Sequence, residues 1–167
     1  MIDEYKGANG AWFRWFLRAF MAGISRPPMR QFGSLFLNQA LGHSVAAGDL
    51  DFLEDRVLRI AVTGVDGGCL LSVRRRQLAI LRPDASPEVT IRASVEDFGL
   101  LATRRIDADT LFFQRRLVIE GDVALGLMVK NYLDALDIDT LPWLARGPLT
   151  MFEKYLAHSG ADSHKYG

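Results

Sequence analysis

Residues 111–137 read LFFQRRLVIEGDVALGLMVKNYLDALD, and this stretch decides the fold class. Leu117-Val118-Ile119-Glu120 has the β-branched, apolar character of a strand, and Gly121-Asp122 is its exit. Asp122 is placed to cap a following helix. In that helix Leu125, Met128, Val129, Tyr132, Leu133 and Leu136 fall on an arc of about 140°, with Lys130, Asp134 and Asp137 opposite. A strand that turns into a helix with one apolar face predicts a helix laid over a sheet.

Working upstream, Val57 to Thr63 alternates, with Leu58, Ile60 and Val62 on one face, and Asp66-Gly67-Gly68 is a turn signal. Cys69 to Val73 and Gln77 to Leu81 read as the next two strands, so an antiparallel meander is expected, closed by Arg82-Pro83. Val89 to Arg92 is a short fourth strand, and Ser94-Val95-Glu96-Asp97 has the form of a capping box opening a helix through about Ala102. Asp107 to Phe113 fits either a capped helical turn or a strand. The class is α+β: a mostly antiparallel sheet of about five strands covered by helices. Downstream, Pro142 and Pro148 suit first-turn positions of short helices, the second carrying Leu149, Phe152, Tyr155 and Leu156, and the polar tail 159–167 is expected to be disordered.

The N-terminal third differs in composition. Eight of the chain's 17 aromatic residues precede residue 37, and from Tyr5 to Gly48 there is no acid while Lys6, Arg14, Arg18, Arg26 and Arg30 are basic. From Ala11 to Ile24 the residues Trp12, Phe13, Trp15, Phe16 and Phe20 share a broad apolar arc, and Arg14 and Arg18 form a narrow cationic face. Such a helix suits an anionic membrane interface; the same pattern also suits packing on its own domain or on a second subunit, as in a homodimer. At 14 residues with two arginines it is too short to span a bilayer, which takes about 20 apolar residues. Arg26-Pro27-Pro28 breaks it, and a second helix is expected with Phe32, Leu35, Phe36, Ala40 and Leu41 at helical spacing, ending at Gly48-Asp49. The expected organisation is a helical extension over 1–48, an α+β domain with C-terminal helices over 49–158, and the tail.

Composition also excludes. The chain has 167 residues, 49% of them hydrophobic, with 20 basic and 20 acidic side chains, so no global field favours nucleic acid. The acidic start, Met-Ile-Asp-Glu, does not suit an export signal, and one cysteine fits a reducing compartment, so a cytoplasmic location is expected. His43, His158 and His164 have no metal-ligand spacing, Cys69 opens an apolar strand as an inert thiol would, and Gly64, Gly67 and Gly68 lead into a strand rather than a phosphate-binding helix. No catalytic residue, cofactor or metal is nominated. Arg74, Arg75 and Arg76 lie between two strands and Arg115 and Arg116 precede another; together they suit either a cationic rim for phosphate or a solvated hairpin paired with nearby acids.

The run Arg116 to Asp122, followed by Leu125 and the helix Gly126 to Leu136, resembles the strand-to-helix signature of sterol carrier protein 2 (SCP2) domains, and the order of meander, helix, strand and helix agrees over about Gly48 to Asp137. The longer run 111–137 resembles more narrowly the SCP2-type accessory factors of bacterial ubiquinone biosynthesis, which also carry an N-terminal helical extension. The resemblance implies a non-enzymatic carrier with an apolar cavity between sheet and helices, a prenylated quinone precursor as ligand, and the hydroxylase proteins UbiU and UbiV as partners. The aromatic N-terminal helix has no counterpart in a minimal SCP2 domain and argues against a sterol. The expected lining is Leu58, Ile60, Val62, Leu71, Val73, Leu78 and Ile80, with Leu117, Ile119, Leu125, Val129 and Leu133; a filled core would leave the same pattern. A phospholipid with an anionic headgroup, held at the inner membrane surface, is the alternative ligand.

Overall fold

The computed structural model describes Gly23 and residues 26–136. Helix α1 spans Pro27–Ala47, opened by the two prolines and closed by Gly48, whose φ of 88° lets its N–H reach Val45 O. A 3-10 turn, Asp51–Leu53, leads to β1 (Leu58–Val62), β2 (Cys69–Arg74), β3 (Gln77–Ile80) and β4 (Val89–Ala93). Then come α2 (Val95–Ala102), α3 (Ala108–Phe113), β5 (Val118–Gly121) and α4 (Val123–Ala135). The three caps expected or allowed by the sequence are present: Ser94 accepts from Asp97 N–H, Asp107 from Thr110 N–H and Asp122 from Leu125 N–H. Asp107–Phe113 is therefore the helical alternative.

The five strands lie in the order β3-β2-β1-β4-β5. The first three form the expected antiparallel meander, but β4 pairs with the far side of β1 in parallel, Leu58 opposite Val89 and Val62 opposite Ala93. The physical reason is the route of the chain. β3 runs in the direction of β1 and its last residue, Ile80, is level with Leu58 through Leu71, so residues 81–88 carry the chain past β2 and β1, and β4 starts beside Leu58 on the far side in that same direction. β5 then adds antiparallel to β4.

Helix α1 guards the β3 edge. An edge strand offers unpaired N–H and C=O groups, and here the Asn38 carboxamide takes both from Leu78: its Nδ2 donates to Leu78 O at 2.7 Å and its Oδ1 accepts from Leu78 N–H at 2.9 Å. Ser34 Oγ accepts from Ile80 N–H at 2.9 Å. The helical spacing of Phe32, Leu35, Phe36, Ala40 and Leu41 agrees with α1, but the helix turns Ser34, Leu37, Asn38, Leu41 and Val45 inward, and Phe32 and Leu35 are 67% and 64% exposed. Two backbone hydrogen bonds to a polar side chain set the rotation of α1, which a count of apolar residues does not reveal.

Helix α4 is seated by a close approach and an ionic tie. Gly126 lies on its sheet side, where a Cβ would stand 2.2 Å from Ile119 Cγ2. At its N-terminus, Arg56 reaches Asp122 Oδ2 at 2.6 Å and also pairs with Glu88, which accepts from Val57 N–H at 3.3 Å. Gly121, at φ 98°, makes the turn between β5 and α4 where any Cβ would strike Glu88 O. The core between helices and sheet joins Leu58, Val73, Leu78, Val89 and Ile91 to Leu111, Leu117, Leu125 and Val129.

Replacing Asn38 with Ala strips partners from two backbone groups of β3, and we expect a loss of about 1–3 kcal/mol in urea unfolding; an unchanged midpoint would contradict the edge-guarding role. The caps set an acid dependence. The backbone N–H of Thr110 holds the Asp107 carboxyl below its ordinary value of 3.8, and the N–H of Leu125, then Arg56, does the same for Asp122. Their contribution is fully present above that ordinary value and is lost as pH falls through the lower folded values. The chain carrying Asp107→Asn and Asp122→Asn, which keeps a capping oxygen, should show a shallower fall in urea midpoint below about pH 4 than the parent.

Candidate functional site

The apolar residues nominated from alternation share one side of the sheet. The register sets Leu58 opposite Leu71 and Val89, Leu71 opposite Ile80, Val73 opposite Leu78, and Ile91 opposite Ile119, so these positions form a continuous surface. Period-two alternation carried across paired strands produces this without special residues. Leu125 and Val129 of α4 pack onto it in the same cluster, with Leu117 just before β5. Leu58, Val62, Leu71, Val73, Leu78, Ile80, Leu117, Leu125 and Val129 are buried, whereas Ile60, Ile119 and Leu133 are half-buried. Other half-buried residues packed on this core include Leu37, Phe98, Leu100 and Leu101. The apolar surface is therefore fully buried at most positions and only half-buried at others, Ile60 in the middle of the central strand among them.

The exposed arc of α4 differs from expectation in two places. Met128, expected on the packing arc, is 50% exposed, and Lys130, expected toward solvent, is buried. Lys130 Nζ is ion-paired with Asp109 of α3 and lies 3.6 Å from Asp134. Asp109 raises the Lys130 pKa, so the ammonium is held charged. Asp134 also accepts from Ala108 N–H at 2.7 Å. The partner that draws Lys130 inward is 21 residues away in sequence, beyond the reach of helical periodicity. Beside this pair a cleft of about 340 Å³ has Leu101, Ile106 and Leu133 as apolar lining and Arg104, Asp107, Asp109 and Asp134 as polar lining. Of these residues the sequence reading nominated only Leu133; Leu101 lies on the short α2 and Ile106 in the connection between α2 and α3, so neither belongs to a run long enough to show a face.

The arginines do not form one rim. Arg74 ends β2, and Arg75 and Arg76 make the β2–β3 turn with φ of 51° and 58°. That turn lies at the end of the sheet marked by Leu58 and Gly121, whereas Arg115 and Arg116 precede β5 at the other end, near Arg92. The physical reason is that β2 runs antiparallel to β1, and β5 antiparallel to β4. Several of these side chains already have partners. Arg116 pairs with Asp97, whose side chain is only 7% exposed, and Arg76 Nη2 donates to Ala46 O at 3.0 Å at the end of α1. Arg75 N–H donates to Glu54 Oε1. The nominated membrane contacts Trp12, Phe13, Arg14, Trp15, Phe16, Arg18 and Phe20 lie outside the described residues, as do the helices expected after Pro142 and Pro148 and the tail.

Among the described residues little is arranged for chemistry. Burial pushes the Cys69 thiol up to about 11, so it is protonated at neutral pH and a poor nucleophile. No cluster of three or more His, Cys, Asp or Glu among the described residues is arranged to hold a metal ion. Among the described residues no helix is long and apolar enough to cross a membrane.

Comparison with known proteins agrees with this geometry. The chain is 41% identical over 119 residues to the ubiquinone biosynthesis accessory factor UbiT of Escherichia coli strain K12, an alignment covering 71% of this chain and 66% of the relative. The same figures hold for UbiT of Escherichia coli O157:H7. The chain thus spans about two thirds of the length of the curated relatives it matches. Among solved structures, a UbiJ-SCP2 ubiquinone synthesis protein superposes with a TM-score of 0.53 at 22% identity, over 66% of this chain and 92% of that one, which shows a shared fold. The SCP-2 sterol transfer family matches residues 37–134, from the middle of α1 to the end of α4. With its five-stranded sheet, its covering helices and that match, the chain belongs to the SCP-2 sterol transfer family.

Proposed function

We propose that this protein is a non-enzymatic lipid-binding accessory factor of ubiquinone biosynthesis, which holds a prenylated quinone precursor and presents it to the enzymes that modify its ring. The observation that carries this reading is the 41% identity to UbiT, because it runs across most of the chain. Burial supplies the affinity. Each CH₂ group of a polyprenyl tail taken out of water contributes about 0.8 kcal/mol, so an apolar interior binds the tail without a catalytic group. The half-buried residues Ile60, Ile119, Leu133, Phe98 and Leu101 support a place for that tail, since a ligand against them adds burial where the core is least complete. The ring, being polar, is left toward the surface, where UbiU- and UbiV-like hydroxylases are its proposed recipients, and the proposed location is cytoplasmic.

Mass spectrometry of lipid extracted from the purified full-length chain tests this. We expect a prenylated quinone precursor to co-purify, to be returned unchanged after incubation, and to fall in occupancy when Val129→Phe crowds the helix–sheet interface. Recovery of phospholipid alone would favour the anionic-lipid alternative and overturn the quinone reading. A chain that by itself hydroxylates, methylates or hydrolyses the precursor would overturn the carrier reading.

A further inference from the structure

Tyr132 lies on the inner face of α4, about 60° around the helix from Val129 at 100° per residue. Its ring packs on the core that holds Val129 and meets Phe52 edge-on, with 6.4 Å between centroids. This packing carries the hydroxyl inside. Among the described residues, the Tyr132 hydroxyl oxygen is the buried side-chain polar atom that finds no hydrogen-bond partner. Ser44 of α1 stands close enough to influence its acidity, yet the two hydroxyls do not meet in a hydrogen bond. Burial pushes the Tyr132 pKa above its ordinary value, so at neutral pH the group is a phenol with a proton to donate. A buried tyrosine hydroxyl ordinarily has a partner, and one without a partner costs stability that phenylalanine at the same place would not. Folding alone therefore does not account for the oxygen.

The chemistry of the proposed cargo supplies the missing partner. In a prenylated phenol or quinone the ring carbon next to the prenyl chain carries an oxygen, so drawing the tail into an apolar interior draws that oxygen in as well. Left unpaired there, it would cost binding energy. Tyr132 is next in sequence to the half-buried Leu133, against which a tail gains burial, and its hydroxyl is a donor with nothing else to bond. Two polar atoms that are each costly alone satisfy one another. We propose that Tyr132 is a specificity-determining residue, whose hydroxyl donates a hydrogen bond to the ring oxygen beside the prenyl chain. The rest of the ring stays toward the surface, and the bond sets how deep the cargo enters. This rests on the cargo reading given above and adds to it the group that tells an oxygen-bearing ring from plain hydrocarbon.

Titration calorimetry of the full chain and of Tyr132→Phe, each with a short-chain ubiquinone and with farnesene, a prenyl hydrocarbon without oxygen, provides the test. We expect the variant to lose roughly three- to tenfold in affinity for the quinone and nothing for the hydrocarbon. Without ligand its urea midpoint should equal or exceed the parent's, because no bonded partner is lost. In infrared spectra a carbonyl stretch of the bound quinone should lie lower in the parent than in the variant. Equal quinone affinity in the two proteins, an equal loss for both probes, or an unshifted carbonyl stretch would overturn the proposal while leaving the cargo reading in place. A lower urea midpoint of the ligand-free variant would overturn it too, by showing that the hydroxyl serves the fold through Ser44 or a bound water. A parent that takes up no quinone would overturn the cargo reading and this inference together.

Discussion

The closeness of α4 to the sheet is the constraint on which the remaining arrangement depends. At Gly126 the helix backbone comes so near to Ile119 that a single methyl group would occupy its space, and this contact brings Leu125 and Val129 down onto Leu58, Val89 and Ile91. The approach is possible only at one rotation of the helix. Asp122 fixes that rotation from the N-terminus by capping Leu125 and pairing with Arg56, whose other partner, Glu88, stands where β4 begins. Lys130 fixes it farther along by pairing with Asp109 across to α3. Polar groups at the two ends therefore orient an apolar contact in the middle, and the helices can cover one face of the sheet without burying every position on it.

Much of this was legible in the residues because it is local. Strand alternation in β1, the turn at Gly67 and the caps at Ser94 and Asp122 each depend on neighbours within a few positions, and the strand-to-helix run around Gly121 carried the family resemblance. What the sequence did not disclose depends on partners far along the chain. The parallel pairing of β1 with β4 follows from where the chain goes after β3, and no residue within either strand encodes it. The helical spacing of Phe32, Leu35 and Phe36 located α1 but not its rotation, which is set by the bonds of Asn38 and Ser34 to the open backbone of β3. One of the two readings of the arginine clusters, the single cationic rim, was open only because their ends of the sheet could not be assigned. For the candidate lining, alternation named strand residues that share one side of the sheet, while the difference between its buried and half-buried positions had no trace in that alternation.

The protein thus separates its apolar surface into two populations. One lies between sheet and helices and is nearly complete as a core; the other lies on the outside of α1 and is left open. A carrier of a water-insoluble tail has use for the first, because the tail must be shielded from water once removed from a membrane. That use requires neither a nucleophile nor a metal, and the protonated Cys69 and the paired Lys130 are consistent with side chains that stabilise rather than react.

The central claim is that a prenylated quinone precursor is held between the sheet and α4. Methyl-labelled protein titrated with a short-chain prenylated quinone, observed by nuclear magnetic resonance, tests it most directly. The account predicts intermolecular contacts between the prenyl chain and the methyl groups of Ile60, Ile119, Val129 and Leu133. Contacts confined to outward residues such as Leu35 and Leu127, with those interior methyl groups unperturbed at saturation, would contradict it.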